Sequence, residues 1–244
     1  KDSKSKLGEP NKIEKSEYGF DWYVYNSDYS KFCMVGILQN KVVALFSNTM
    51  DSCESNIKLG TTESQVLKNY KPLEYRLKGN VRYIINEDYY SVIKTKTSYI
   101  TAFYDSFDGN KVVGIQIISK KVEENMDGIY STDSSICGDF ENVNRYLINS
   151  ERFNRNLNTL SYDENATLCA RSHSKDMRDN DYFAHNNLKN QTPFDRMSSY
   201  NINYMAAAVN IPGGQTSGIF ALYALMNSKG HRVSILGDYK SIGV

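Results

Sequence analysis

The 244 residues include three histidines, and all of them lie in the second half: His173, His185 and His231. Imidazole titrates nearest neutrality, so these side chains are the first candidates for proton transfer or for binding a metal. His173 shares an apolar helical face with Ala166, Cys169, Ala170 and Met177, which predicts a hydrogen-bonded core residue. His185 ends Tyr182-Phe-Ala-His185 just past that segment. His231 sits in Asn227-Ser-Lys-Gly-His231-Arg232, just past another apolar segment. Two histidines at helix ends can converge on one cleft, as an acid–base pair or as two nitrogen ligands for zinc or copper. Ser228 is close to His231 in sequence, but no acid stands where it would orient a nucleophile.

The four cysteines, Cys33, Cys53, Cys137 and Cys169, contain no CxxC and are too scattered for a disulfide framework or zinc knuckle. Cys33 and Cys53 would pair only in an oxidising compartment and with a geometry that spacing does not supply.

The segments that must position the histidines have a period of 3.6. Asp139 is placed to cap a helix carrying Phe140, Val143, Tyr146, Leu147 and Phe153. Ser161-Tyr-Asp-Glu164 reads as a capping box opening the His173 helix. Thr192-Pro193-Phe194-Asp195 combines a cap, a proline at the first helical position and an acidic third residue. Ser217 begins a fourth helix with Phe220, Tyr223, Ala224 and Met226 inward, and Gly230 stands where that helix would end.

The first 120 residues alternate instead, in short bursts typical of strands. Phe32–Leu38 and Lys41–Phe46 flank a turn at Gln39-Asn40, and Phe103-Tyr104 and Lys111–Ile118 flank Asp108-Gly109-Asn110. Asn40-Lys-Val-Val-Ala-Leu45 and Asn110-Lys-Val-Val-Gly-Ile115 read either as an internal repeat or as two similar hairpins. Leu7-Gly-Glu-Pro10 and Asn69-Tyr-Lys-Pro72 precede the two copies, and a capping box at Thr62–Gln65 places a helix before the second. This half predicts an antiparallel α+β domain with no catalytic constellation. The polar, turn-rich segment 121–138 separates it from 139–244, and the change of period across that linker predicts two independently folding units.

Lys+Arg at 29 against Asp+Glu at 28 gives +1, with no basic stripe, so nucleic acid is not an expected partner. No apolar run approaches the roughly 20 residues needed to span a bilayer. The polar start has neither a Met nor a signal peptide, and reads as a mature or trimmed fragment.

A set of strings in the second half occurs in a recognisable order: Asn149-Ser-Glu-Arg152, Leu160-Ser-Tyr-Asp-Glu164, Ala170-Arg-Ser-His-Ser-Lys-Asp-Met177, Asp181-Tyr-Phe-Ala-His185, Thr192-Pro-Phe-Asp-Arg196, Asn210-Ile211, Gly214-Gln215 and Met226-Asn-Ser-Lys-Gly-His-Arg232. From about residue 139 to the end, the chain resembles the bacterial branch of the CAP superfamily, named for cysteine-rich secretory proteins, antigen 5 and plant pathogenesis-related 1 proteins. Residues 1–120 are similar, more loosely, to the CAP-associated N-terminal domain of Gram-positive extracellular proteins.

The resemblance implies an α-β-α sandwich, secretion or surface attachment, and a shallow cleft lined by two His and two Glu that sometimes hold a divalent metal. The family histidines fall on His185 and His231. The first family glutamate falls on Val209, in Ala208-Val209-Asn210-Ile211, and the second on Ser228 or Asn227; none of these is acidic. Family members also continue past Ile242-Gly243-Val244 into a further strand of the sheet, so an interrupted sheet with an open edge is expected here.

Two imidazoles without anionic ligands leave a dication's charge unmatched, so weak or no zinc binding is expected and no cofactor is assigned. The favoured function is a secreted or surface-attached non-enzymatic binding module, using His185, Asn210, Gln215, Ser228 and His231 for a protein, peptide, lipid or cell-wall ligand. The alternatives are an extracellular hydrolase or peptidase using His185 and His231, with Asp238 or Glu164 supplying the acid, and an N-terminal domain that carries the function with the CAP half in support.

Overall fold

The structure is a computed structural model and describes residues 7–51, 55–131 and 133–244. In the first half, four strands, β1 (Lys12–Lys15), β2 (Asp21–Tyr25), β3 (Cys33–Leu38) and β4 (Lys41–Ser47), form an antiparallel meander. Helix α1 (Glu63–Asn69) follows, opened by the expected Thr62–Gln65 capping box. Next come the hairpin β5 (Tyr75–Lys78) and β6 (Val81–Ile84), then a second meander of β7 (Tyr90–Lys94), β8 (Ser98–Asp105) and β9 (Lys111–Ser119).

The two meanders join through β4 and β9, which pair Ala44 with Ile118 and Leu45 with Ile117. The result is a seven-stranded antiparallel sheet, ordered β1-β2-β3-β4-β9-β8-β7. Each copy of the repeated string starts β4 or β9 from an Asn in the left-handed region, at φ 60° for Asn40 and 51° for Asn110. Each hairpin carries a register irregularity, at Gly36/Ile37 and at Phe103/Tyr104. The repeat therefore has a structural counterpart: β2-β3-β4 and β7-β8-β9 are each three-stranded meanders, joined through β4 and β9, with β1 added at the edge of the first.

The expected linker opens with helix α2 (Lys120–Asn125), whose Glu123 is buried. Its carboxylate accepts from the Tyr18 hydroxyl at 2.6 Å and lies 2.9 Å from the Lys78 ammonium. Burial raises the Glu123 pKa, but Arg76, Tyr18 and Lys78 more than offset this and hold it below the usual value.

The second half is helical: α3 (Cys137–Phe153), α4 (Glu164–Asp179), α5 (Pro193–Ser199), α6 (Gly218–Met226) and α7 (Lys229–Leu236), with a parallel pair of two-residue strands, β10 (Ser161–Tyr162) and β11 (Ser241–Ile242). The fold class is α+β, as expected.

Three local expectations change. Asp139 lies inside α3, and its carboxylate accepts the Lys15 backbone N–H at 2.8 Å instead of capping the helix. Ser161 is in a strand, and Asp163 caps α4 through the Ala166 N–H at 2.9 Å. Gly230 lies within α7, because α6 already ends at Met226.

The two halves, expected as independent folding units, share a buried core. One buried cluster runs from Phe20, Trp22, Phe46 and Phe103 of the sheet to Tyr146, Leu147, Phe220 and Tyr223 of α3 and α6. A second cluster, with Ile57, Val66, Ile100 and Ile115, fills the space on the α1 side. Helix α6, Gly-Ile-Phe-Ala-Leu-Tyr-Ala-Leu-Met, is buried at every position but Ala224. Such a helix has no solvent face and must sit inside a core, here one that the sheet completes.

Candidate functional site

The string Asn149-Ser-Glu-Arg152 lies on α3, and all four side chains are buried and bonded. Asn149 holds Leu160 from both sides, accepting its N–H at 2.7 Å and donating to its carbonyl at 3.0 Å. Ser150 donates to Asn48 Oδ1 at 2.6 Å, and Glu151 accepts from Asn48 Nδ2 at 2.8 Å and from Tyr223 at 3.1 Å. Arg152 donates to the carbonyls of Asn158, Ile235 and Gly237 at 2.7–2.8 Å. The motif is a frame: it fixes the chain before α4, the end of α7 and the junction with the N-terminal sheet.

His173 is a buried core residue, as predicted. Its Nε2 lies 2.9 Å from the Ala184 carbonyl oxygen, which can only accept, so Nε2 carries the proton. Burial lowers its pKa, and the bond to Ala184 offsets part of that. Next along the chain, Arg196 donates to the His185 carbonyl at 2.8 Å and to that of Gln191 at 2.8 Å. The backbone at 184–185 is thus pinned by His173 and Arg196, while the His185 ring is exposed and makes no hydrogen bond among the described residues.

His231 lies in the first turn of α7, not beyond a helix end. Its Nδ1 is 2.8 Å from Asn210 Oδ1, an acceptor, so Nδ1 donates, and Nε2 makes no hydrogen bond among the described residues. Of the five expected ligand-binding residues, the structure joins His231 to Asn210 and leaves His185 without a bond to either. Gln215 and Val209 line the same wall as Asn210. Ser228 stands at the N-cap of α7 without a side-chain cap bond, and Asn227 turns away towards the first half. Glu164 bonds to Tyr162 and Asp238 to Lys240, so neither proposed acid is tied to a histidine. Among the described residues, no three His, Cys, Asp or Glu side chains converge as a metal site would require.

Beside these residues is a cavity of about 1020 Å³. Phe140, Ile148, Val209 and Leu225 give it apolar walls, and His173 Nδ1 and Gln215 Oε1 on its lining residues are buried without partners among the described residues. Ser241–Val244 form one side. Among the described residues, strand β11 pairs with β10 alone, in a parallel two-stranded sheet. Neither His185 nor His231 lines it. The Cys33–Cys53 pairing lies outside the described residues, since Cys53 does; Cys33 is buried, which pushes its thiol pKa up to about 11.

Sequence reasoning missed the residues that join the two halves. Asp105 accepts two bonds from Arg232, at 2.9 and 2.8 Å, and one from Arg155 at 2.9 Å. Burial raises its pKa, but the bonds and charge of Arg232 prevail and hold it below the ordinary value. Glu14 accepts from Tyr146 at 2.8 Å and Asn142 at 3.3 Å. For Asp105 the available signal was an acidic residue ending an apolar strand; for Glu14, in Lys12-Ile-Glu-Lys15, there was none.

No helix among the described residues is long and apolar enough to cross a membrane. The CAP-associated N-terminal family matches residues 1–128, and the cysteine-rich secretory protein (CAP) family matches residues 145–244. YlbC of Bacillus subtilis strain 168, named as a membrane protein, is 30% identical over 270 aligned residues, spanning 98% of this chain and 75% of its own. YkwD of the same strain is 41% identical over 99 residues, 40% of this chain and 38% of its own. An extracellular protein containing an SCP domain from Bacillus anthracis strain Ames superposes with a TM-score of 0.85 at 25% identity, covering 99% of this chain and 86% of that one. A cysteine-rich secretory protein from Staphylococcus aureus shares the fold, with a TM-score of 0.75 at 16% identity, over 98% of this chain and 86% of that one. The chain belongs to the cysteine-rich secretory protein family, with a CAP-associated N-terminal domain ahead of its CAP domain.

Proposed function

We propose that this chain is an extracellular or surface-attached binding module, and that its CAP half recognises a ligand without turning it over. The observation that carries the reading is the orientation of His231 by a neutral amide, Asn210, rather than by a carboxylate. A carboxylate partner would stabilise the imidazolium that forms when histidine takes a proton; an amide oxygen supplies much less of that stabilisation. Val209 is apolar where the family acid would sit, and no positioned nucleophile accompanies either histidine. The extracellular SCP neighbour and the relative named as a membrane protein support an envelope location. The same donor set does not fit a divalent cation, since it offers one free imidazole nitrogen at His231, an exposed His185 ring and no carboxylate.

Two measurements test the reading. The purified chain should co-sediment with Gram-positive cell-wall sacculi or with anionic phospholipid vesicles, and should leave casein and sacculi undigested. Digestion abolished by His231→Ala would overturn it. Zinc provides the second arm. A ligand at 100 times its dissociation constant adds about 2.7 kcal/mol to stability, which raises the melting midpoint of a chain this size by several degrees. The wild type should show no such rise with zinc, whereas Val209→Glu with Ser228→Glu should. A wild-type rise lost in His185→Ala would show that the histidines suffice.

A further inference from the structure

The corner between α6 and α7 carries His231, and it is held by the other domain. At its start, Asn227 accepts the Ser106 N–H at 2.8 Å and donates to the Tyr104 carbonyl at 2.9 Å. At its end, the Arg232 guanidinium makes its two bonds to Asp105 and lies 4.9 Å over the Phe107 ring. Tyr104–Phe107, four consecutive residues leaving strand β8, therefore grip both sides of the corner, and His231 lies between the two grips.

Helix α7 needs such a grip. It is eight residues long, its N-cap Ser228 makes no side-chain cap bond, and its first turn has no acidic residue. A two-turn helix without a cap is marginal by itself. Asp105 is 3% exposed, so its bonds to Arg232 are shielded from competing water.

We propose that Asp105 is a positioning residue for His231, so that the N-terminal domain sets the place of the ring against Asn210 and makes the CAP site competent only while the two domains are joined. The proposal rests on the reading of His231 as part of the binding site. It assigns the first domain a task at that site without any contact between that domain and the ligand. It also gives the site a point of control: anything that loosens the β8 strap releases His231.

The test reads the ring directly in the full chain and without ligand. Site-resolved carbethoxylation by mass spectrometry and the ¹⁵N signature of His231 are compared between wild type and Asp105→Asn, below the melting range of both. Wild-type His231 should show the protonated Nδ1 expected of its bond to Asn210. In Asp105→Asn the ring should move to the mixed tautomer of a free imidazole and react about tenfold faster, a change of about 1.4 kcal/mol. His185, exposed in both, should keep its rate and serves as the internal reference. Asn227→Ala loosens the other grip and should act in the same direction, so the test survives if Asp105→Asn does not fold. Ser150→Ala removes one hydrogen bond of the domain junction, to Asn48, without touching the corner, and should leave His231 unchanged. A His231 signature and rate unmoved in either folded corner variant would overturn the proposal, as would an equal effect in Ser150→Ala. Failure to bind sacculi or vesicles would sink the binding reading and leave this measurement standing.

Discussion

His173 and His231 are each oriented by an oxygen that can only accept, yet they end up with opposite nitrogens free: Nδ1 for the first, Nε2 for the second. The first is buried and tethers a loop; the second is half-buried beside the cleft wall. Residue type alone could not separate these roles, because the deciding partners, Ala184 and Asn210, are 11 and 21 residues away. Another titratable group has a more measurable consequence. Burial raises Glu17 from 4.5 to about 7, the nearby Glu123 adds to the shift, and Arg76 offsets part of it. A folded-state pKa above the unfolded one means that the native state holds the proton longer. Stability should therefore fall as pH rises from about 5 to about 7, by linkage. Glu17→Gln should flatten that slope in melting curves, and an unchanged slope in the variant would refute the assignment.

At the scale of elements, the repeated strings differ at one informative position, Ala44 in the first copy and Gly114 in the second. A methyl group on Gly114 would stand 2.1 Å from the Tyr223 hydroxyl and 2.7 Å from its ring carbon. Tyr223 comes from α6 and stacks on Phe103 at 4.4 Å, so the second copy gave up its side chain to admit a residue of the other domain. Gly114→Ala should cost roughly 1–3 kcal/mol by overpacking. Tyr223→Phe, which removes the nearest atom, should recover part of that loss in denaturant melts, and a neutral Gly114→Ala would mean that α6 is free to shift.

The central strands and most helices were legible because their patterns answer to a core on one side. Strand β1 was not, since Lys12-Ile-Glu-Lys15 reads inside out. Ile13 is about half exposed, whereas Glu14 is buried against Tyr146 and Asn142. Strand β7 and the β5–β6 hairpin were missed as well; the hairpin leaves Leu77, Val81 and Ile84 exposed. At the candidate site, the histidines stood in motif strings that could be read from the sequence. The strap at Tyr104–Phe107 was not, because its partners lie more than 120 residues away.

The whole molecule behaves as two domains in sequence and one in packing. A non-specific protease should cut first within 126–131, the stretch between α2 and the start of α3, rather than within β4 or β9. The nicked pieces should then elute together in gel filtration, because the cluster around Phe103, Phe220 and Tyr223 holds both. Separation of the pieces under native conditions would instead support independent units. Unfolding of the intact chain should likewise show a single transition.

Helix α6, apolar on every side, also bears on how the chain is made. Synthesis runs from the N-terminus, and domains fold in that order as they emerge. The sheet that seats α6 is complete by Ser119, about a hundred residues before Gly218 appears. The most adhesive segment of the protein thus emerges only after its receptor already exists, which spares the nascent chain a long interval with that segment bare. A circular permutant that made residues 139–244 first would keep every contact of the finished molecule and lose this protection, and aggregation during expression would be its mark.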